Sequence, residues 1–267
     1  MTPSSQSVSH ISDNDDLPTT VVGLYSFPRS GNTWLRQIVA AALDIPANML
    51  QRFLSDMAYG PIVTHPVIFQ DRQWYFYKSH HKSLVTEHRG QKIKTDKVVY
   101  IYRHPMDVFL SYLNFASKNV SSKVGQVLQF QIDSVEKLSK EQLAALFSVF
   151  MTYGTITPQN RAYGGYFEHV ENAFALRASG ADVHIIRYED MLNNFGPTAR
   201  GMFEFLGISI GDIEAVHGEA DKRTAQDGKF FWKRQSKTHE EFLTKEQIDA
   251  FNKTFRDRLI AIGYPPE

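Results

Sequence analysis

The sequence predicts a single α/β domain with a central parallel β-sheet flanked by helices on both faces. Three observations predict it. Short runs that are apolar almost throughout alternate with helical patterns, and strands buried on both faces of a parallel sheet have that composition. The first such run passes through a tight polar loop straight into a helix, which is the opening of a βαβ unit. No linker or composition break divides the 267 residues, a length that can bury one large core.

Val21 to Phe27 forms the first strand, Pro28 to Thr33 a loop, and Trp34 to Leu43 a helix. Trp74 to Lys78 and Lys97 to Tyr102 are the next strands, and a helix from Pro105 to Phe115 begins with proline, which suits a first helical turn. Val124 to Arg177 is mainly helical. Val183 to Tyr188 is a fourth strand, with Glu189-Asp190-Met191 opening a helix. Ile248, Phe251, Phe255, Leu259 and Ile262 recur at helical spacing within Thr244 to Ile262. The polar segment 1–20 has neither a basic nor an apolar region of a secretory leader and is expected to be a disordered tail before a domain at 21–267.

Lysine and arginine total 29, as do aspartate and glutamate. The balance gives no global attraction to nucleic acid or an anionic membrane. The absence of cysteine excludes disulfides, thiolate zinc sites and cysteine nucleophiles. No apolar run approaches the roughly 18 residues of a membrane span. These features predict a cytoplasmic protein without a membrane or nucleic-acid partner.

The loop Ser26-Phe27-Pro28-Arg29-Ser30-Gly31-Asn32-Thr33 joins strand to helix. Backbone N–H groups there can surround a phosphate, assisted by the helix N-terminus. Ser30 and Thr33 add hydroxyls, and Gly31 allows close approach. Taken alone, the segment suits a polar connection equally well. It departs from the nucleotide-hydrolase loop G-x-x-x-x-G-K-[ST]: Ser26 replaces the first glycine and Asn32 the lysine, while a cation stands earlier, at Arg29. Tyr25 to Leu35, including Trp34, resembles the 5′-phosphosulfate loop of cytosolic sulfotransferases, Y-P-K-[SA]-G-T-T-W-L, with Arg29 at the usual lysine and Asn32 at a threonine. The resemblance implies a P-loop NTPase-like fold and a reaction that moves a sulfuryl group from PAPS (3′-phosphoadenosine 5′-phosphosulfate) to a hydroxyl of a small acceptor. PAP is released and no metal is required.

Other segments carry the same resemblance. Val98 to Tyr112 resembles the 3′-phosphate segment, a strand followed by R-[ND]-P-x-D-x-x-x-S, which assigns that phosphate to Arg103 and Ser111. The alternative at this point is an ion pair of Arg103 with Asp107, and Asp107 is assigned to structure. Arg187-Tyr188-Glu189-Asp190-Met191 resembles the segment whose tyrosine, here Tyr188, approaches the adenine. Phe230 to His239 occupies the place of F-x-R-K-G-x-x-G-x-W, with Trp232 for arginine and both glycines lost, to Arg234 and Lys237; the phosphate contact is left open among Lys233, Arg234 and Lys237.

A hydroxyl attacking sulfur needs a base for its proton and positive charge for the leaving oxygen. Tyr77-Lys78-Ser79-His80-His81 resembles the family's K-[TS]-H segment. That match makes His80 the base and Lys78 its companion cation. Alternation along an extended chain puts both on one face. Arg29 is the candidate for the bridging oxygen, and the resemblance implies that Ser111 restrains it. Trp74, Tyr75, Phe76, Tyr112 and Phe115 are candidates to line the acceptor site, or are core. The stretches 44–66 and 114–135 are expected to be lids. The family's dimerisation pattern is not legible around Thr244, which leaves a homodimer open. Two other functions fit the sequence, a P-loop kinase or NTPase and a catalytically silent PAP-binding module.

Overall fold

The computed structural model describes residues 16–56, 65–83, 86–88, 91–117, 133–153, 163–225 and 233–266. The strands are β1 (Thr19–Tyr25), β2 (Leu54–Asp56), β3 (Val67–Phe69), β4 (Arg72–Ser79), β5 (Thr86–His88), β6 (Gln91–Ile93), β7 (Lys97–Tyr102) and β8 (Val183–Arg187). The main sheet runs β2-β4-β1-β7-β8 with every neighbouring pair parallel, and β3 adds an antiparallel edge on β4. β5 and β6 form a separate hairpin. The expected single α/β domain with a parallel sheet is therefore what the chain forms. Most of the tail expected over 1–20 lies outside the described residues, and β1 already begins at Thr19.

The helices are α1 (Asn32–Ala42), α2 (Leu50–Phe53), α3 (Pro105–Ser117), α4 (Lys140–Tyr153), α5 (Tyr166–Ala178), α6 (Tyr188–Asn193), α7 (Phe195–Leu206), α8 (Ile213–Thr224), α9 (His239–Phe242) and α10 (Lys245–Ala261). Alternation along β1 sends Val22 and Leu24 to one face and Tyr25 to the other. The first face packs Leu35, Ile38 and Val39 of α1 with Met202 and Phe203 of α7 and Val216 and Ala220 of α8. The second packs Phe109 of α3 with Phe147 and Phe150 of α4, Phe167 of α5 and Phe251 of α10. Two cores, one on each face, fix the sheet between helical layers.

Several boundaries differ from the sequence expectation for local reasons. α1 starts two residues early because Gly31, at φ 105°, takes the N-cap position. Part of the stretch expected to be a lid, Leu54–Asp56, is a buried strand of the main sheet. The rest of that stretch from 57 to 64, and the second lid from 118 to 132, lie outside the described residues, as do Phe230 to Trp232. α10 opens at Thr244, whose hydroxyl accepts from the Gln247 N–H while the Gln247 side chain accepts from the Thr244 N–H. This capping box satisfies two helix-end donors. Thr244→Ala should lower unfolding stability by about 1 kcal/mol, read as a lower urea midpoint at unchanged slope.

Candidate active site

The parallel register decides what meets at the carboxyl edge of the sheet, where such folds bind ligands. Tyr25 pairs with Ser79 on one side and Tyr100 on the other, and Tyr102 pairs with Arg187. The chain leaving β1, β4, β7 and β8 thus delivers the 26–33 loop, His80, Arg103 and Tyr188 to one cavity of about 530 Å³. Arg29, Gly31, Asn32, Thr33, Trp34, Lys78, His80, Arg103, Ser111, Tyr188, Lys233 and Arg234 all contribute to its wall. Ser30 does not; it is fully buried behind the loop, and its hydroxyl has no hydrogen-bond partner.

The first loop has the shape of an anion cradle. Arg29 and Gly31 both adopt positive φ, 73° and 105°, a backbone turn that makes N–H groups converge. A methyl group at Gly31 would lie 2.7 Å from a Tyr188 ring carbon. Asn32 does not reach into the cavity as a lysine would. Its amide donates to the Leu24 carbonyl at 3.0 Å and the Ser26 hydroxyl at 3.3 Å, tying the loop to β1. Arg29 Nε donates to the Ser111 hydroxyl at 3.3 Å, and the guanidinium lies over Phe115.

Arg103 lies over the Tyr188 ring, 4.7 Å from its centre, and donates to the Gln235 carbonyl at 2.8 Å. Its ion pair with Asp107 is loose, at 3.7 Å, and buried rather than at the surface. The closer partner of Asp107 is His239, whose backbone N–H and Nδ1–H both donate to one carboxylate oxygen, at 2.9 and 2.7 Å. The His239 ring stacks on His104, 4.5 Å away. These contacts clip the basic segment 233–239 onto the start of α3. Lys233 and Arg234 line the cavity while paired with Glu241 and Asp221. Exposed Lys237 turns to Glu240 instead.

Burial leaves donors of cavity-lining residues without hydrogen-bond partners: Trp34 Nε1, Arg36 Nε, Arg103 Nε and Thr238 Oγ1. Such groups are costly in a dry interior. The cations that line the cavity, Arg29, Lys78, Arg103, Lys233 and Arg234, have the charge that a phosphate-bearing nucleotide requires, so the lining fits PAP.

His80 stands opposite the first loop. Nδ1 lies 2.8 Å from the Ser26 carbonyl, which can only accept, so Nδ1 carries the proton and Nε2 keeps the lone pair. The His80 carbonyl in turn accepts from His169 Nε2 at 3.0 Å, and His169 Nδ1 pairs with the Tyr100 hydroxyl at 2.7 Å. Burial, with Lys78 adding repulsion, lowers the His80 pKa to about 3. Burial also lowers His169 to about 4 and, with His239 adding to it, His104 to about 3.

Lys78 is buried, and its ammonium lies 2.7 Å from Asp56 of β2, with Arg36 of α1 3.9 Å from the same oxygen. Sequence reasoning missed Asp56, Arg36, His169 and Tyr163, whose ring meets the His80 edge. Asp56, His169 and Tyr163 come from segments distant in sequence with no motif of their own, and Arg36 lies one residue past the end of the Tyr25–Leu35 motif. Of the aromatic candidates, Tyr112 and Phe115 line the cavity, whereas Trp74 and Phe76 stack in the core and Tyr75 stays off the wall. Among the described residues no group of three His, Asp or Glu side chains could hold a metal ion, and no helix is long and apolar enough to cross a membrane.

A parallel α/β sheet with a phosphate cradle at its carboxyl edge defines a nucleotide-binding class, and comparison with known proteins narrows it. Residues 20–263 match the sulfotransferase domain family, and the chain belongs to that family. It is 27% identical to cytosolic sulfotransferase 16 of Arabidopsis thaliana over 80% of this chain and 60% of that relative, so it spans less than two thirds of that protein. Mouse sulfotransferase 2A6 is 22% identical over 91% of this chain and 85% of its own length. Among solved structures, mouse sulfotransferase SULT7A1 complexed with PAP superimposes with a TM-score of 0.59 at 17% identity, covering 90% of this chain and 84% of that one. Retinol dehydratase with retinol and PAP gives 0.59 at 18%, covering 94% and 84%. At these identities the two structures establish the shared fold.

Two outcomes test this geometry. Gly31→Ala forces the Tyr188 ring to move at a strained φ, so PAP affinity measured by calorimetry should fall at least about tenfold. The three buried histidines are neutral in both states above pH ~6.5. Below it the unfolded chain takes up protons that the folded chain refuses until pH about 3 to 4. Stability should therefore fall with pH through that window, by about 1.4 kcal/mol per pH unit for each histidine. Urea midpoints that stay constant from pH 6.5 to 4.5 would contradict the assignment.

Proposed function

We propose that the protein transfers a sulfuryl group from PAPS to a hydroxyl of a small-molecule acceptor, with His80 as general base, and that it works in the cytoplasm, the compartment in the names of two relatives. The observation that carries the reading is the fixed tautomer of His80. The Ser26 carbonyl holds Nδ1–H, which leaves Nε2 as the basic nitrogen of a side chain on the cavity wall beside Lys78. A base needs that arrangement before any question of strength.

When bound, PAPS supplies the activated sulfuryl group. Arg29 and the N–H groups of the 29–33 loop hold its 5′ end, Arg103 and Ser111 with Lys233 or Arg234 hold the 3′-phosphate, and Trp34 and Tyr188 form the aromatic wall by the adenine. The same charges set the strength of the base. Repulsion by Lys78 lowers the His80 pKa, so an anion held beside Lys78 raises it. Arg29, close to Ser111, is the cation for the leaving oxygen. The kinase or NTPase reading finds less support, because the amide at the lysine position is turned into β1.

His80→Ala should cut PAPS-dependent turnover about 10²- to 10⁴-fold while PAP affinity changes little. A variant as fast as wild type removes His80 as base. Parallel calorimetric titrations with PAP and with ATP plus Mg²⁺ should show binding only for PAP; tight ATP binding without PAP binding would move the protein to the nucleotide kinases. Arg103→Ala should weaken PAP about tenfold to a hundredfold yet leave 5′-AMP nearly unaffected, because only PAP has the 3′-phosphate. Equal losses for both would refute that assignment.

A further inference from the structure

We propose that Asp56 is a positioning residue, whose carboxylate holds Lys78 as a charged ammonium at the cavity wall and is itself held by Arg36. The inference rests on the proposed sulfotransferase site and assigns it a residue that no motif marks.

The geometry begins with the sheet. β2 is only three residues long, yet its parallel register places Asp56 directly beside Lys78 of β4. Paired residues on neighbouring strands project to the same face, and this is the face covered by α1. There the Lys78 ammonium meets the Asp56 carboxylate at 2.7 Å. Arg36 approaches the same carboxylate oxygen at 3.9 Å and also donates to the Leu54 carbonyl of β2. Gln51 accepts from both the Asp56 N–H and Arg36, each at 3.3 Å. All three charged side chains are buried, and all three line the cavity.

Among the described residues, the charged and titratable groups facing Lys78 are therefore Asp56 from β2, Arg36 from α1, Arg29 from the first loop and the neutral imidazole of His80 just beyond β4. Asp56 is the single anion among them. Burial and the two arginines all favour the neutral amine, and Lys78 is already shifted downward with Asp56 opposing the shift. Removing the carboxylate would leave two buried cations without a counter-ion, and lysine, unlike arginine, can shed its charge. A neutral amine at position 78 offers no attraction to the anionic end of a nucleotide.

The test uses the full chain as wild type, Asp56→Asn, Asp56→Glu, Lys78→Met and the double variant Asp56→Asn/Lys78→Met. The first measurement is the pH titration of the Lys78 side-chain ¹⁵N resonance in ligand-free protein, assigned by its loss in Lys78→Met. Asp56→Asn should lower its midpoint by about one to three pH units, and Asp56→Glu should restore most of the difference. An unshifted midpoint overturns the proposal. The second measurement is PAP affinity by calorimetry between pH 7 and 9. Asp56→Asn should begin to lose affinity, by about tenfold per pH unit, at a lower pH than wild type does. The double variant, which leaves Arg36 but no titratable amine in the cluster, should show no such slope. A loss that is equal at every pH in Asp56→Asn, or a slope that persists in the double variant, also overturns the proposal. If the resonance shifts as expected but wild type binds no PAP at all, the positioning of Lys78 stands and the nucleotide reading falls.

Discussion

The site depends on one constraint, the parallel pairing of β1 between β4 and β7. Tyr25, the last residue of β1, is held level with Ser79 and Tyr100. The chain must therefore leave β1 and β4 side by side, and the Ser26 N–H still reaches the Ser79 carbonyl at 3.4 Å. The bond from His80 to the Ser26 carbonyl follows from that alignment. A slip of one residue would turn Lys78 to the opposite face of the sheet and break the match. The tautomer of His80 is thus a property of sheet register as much as of the histidine.

The two cores enforce that register from both sides. Val22 and Leu24 are locked against α1 and α7, and Tyr25 is locked on the other face, edge-on to Tyr77 with their hydroxyls bonded at 2.9 Å. The polar groups of the site are held on a rigid scaffold while many stay out of water. Burial weakens the charged forms of Lys78 and His80 together, so each cation of the site is braced by an oxygen: Lys78 by Asp56, Arg29 by Ser111, Arg103 by Gln235. Such bracing lowers the reorganisation needed when an anion arrives.

The features legible in the sequence were those encoded by contiguous residues. β1, β4, β7 and β8 appear as apolar runs because both sides of each strand are buried, and the loop before α1 declares itself by its glycine and hydroxyl spacing. Lys78 and His80 share a face by simple alternation. β2 is not legible because three residues carry no periodicity, and their strand state comes from pairing with β4. Trp74 and Phe76 resemble acceptor-site aromatics in sequence, but alternation turns them into the same core as Leu24 and α1. His169 is one histidine among ten, and only the packing of α5 brings its Nε2 to the His80 carbonyl.

These long-range supports bear on why motif departures are tolerated here. Arginine in place of lysine at position 29 keeps the charge but has a longer, planar head. The positive φ at Arg29 turns the side chain toward α3, where Ser111 and the Phe115 ring receive it. In the 233–239 segment the two positions where the family's pattern has glycine, Arg234 and Lys237, are likewise at positive φ, 50° and 58°, a conformation that glycine adopts without strain. The Asp107–His239 clip and the Arg234–Asp221 pair oppose that strain and hold the turn in place. It is the backbone, through its converging N–H groups and strand register, that positions the chemistry.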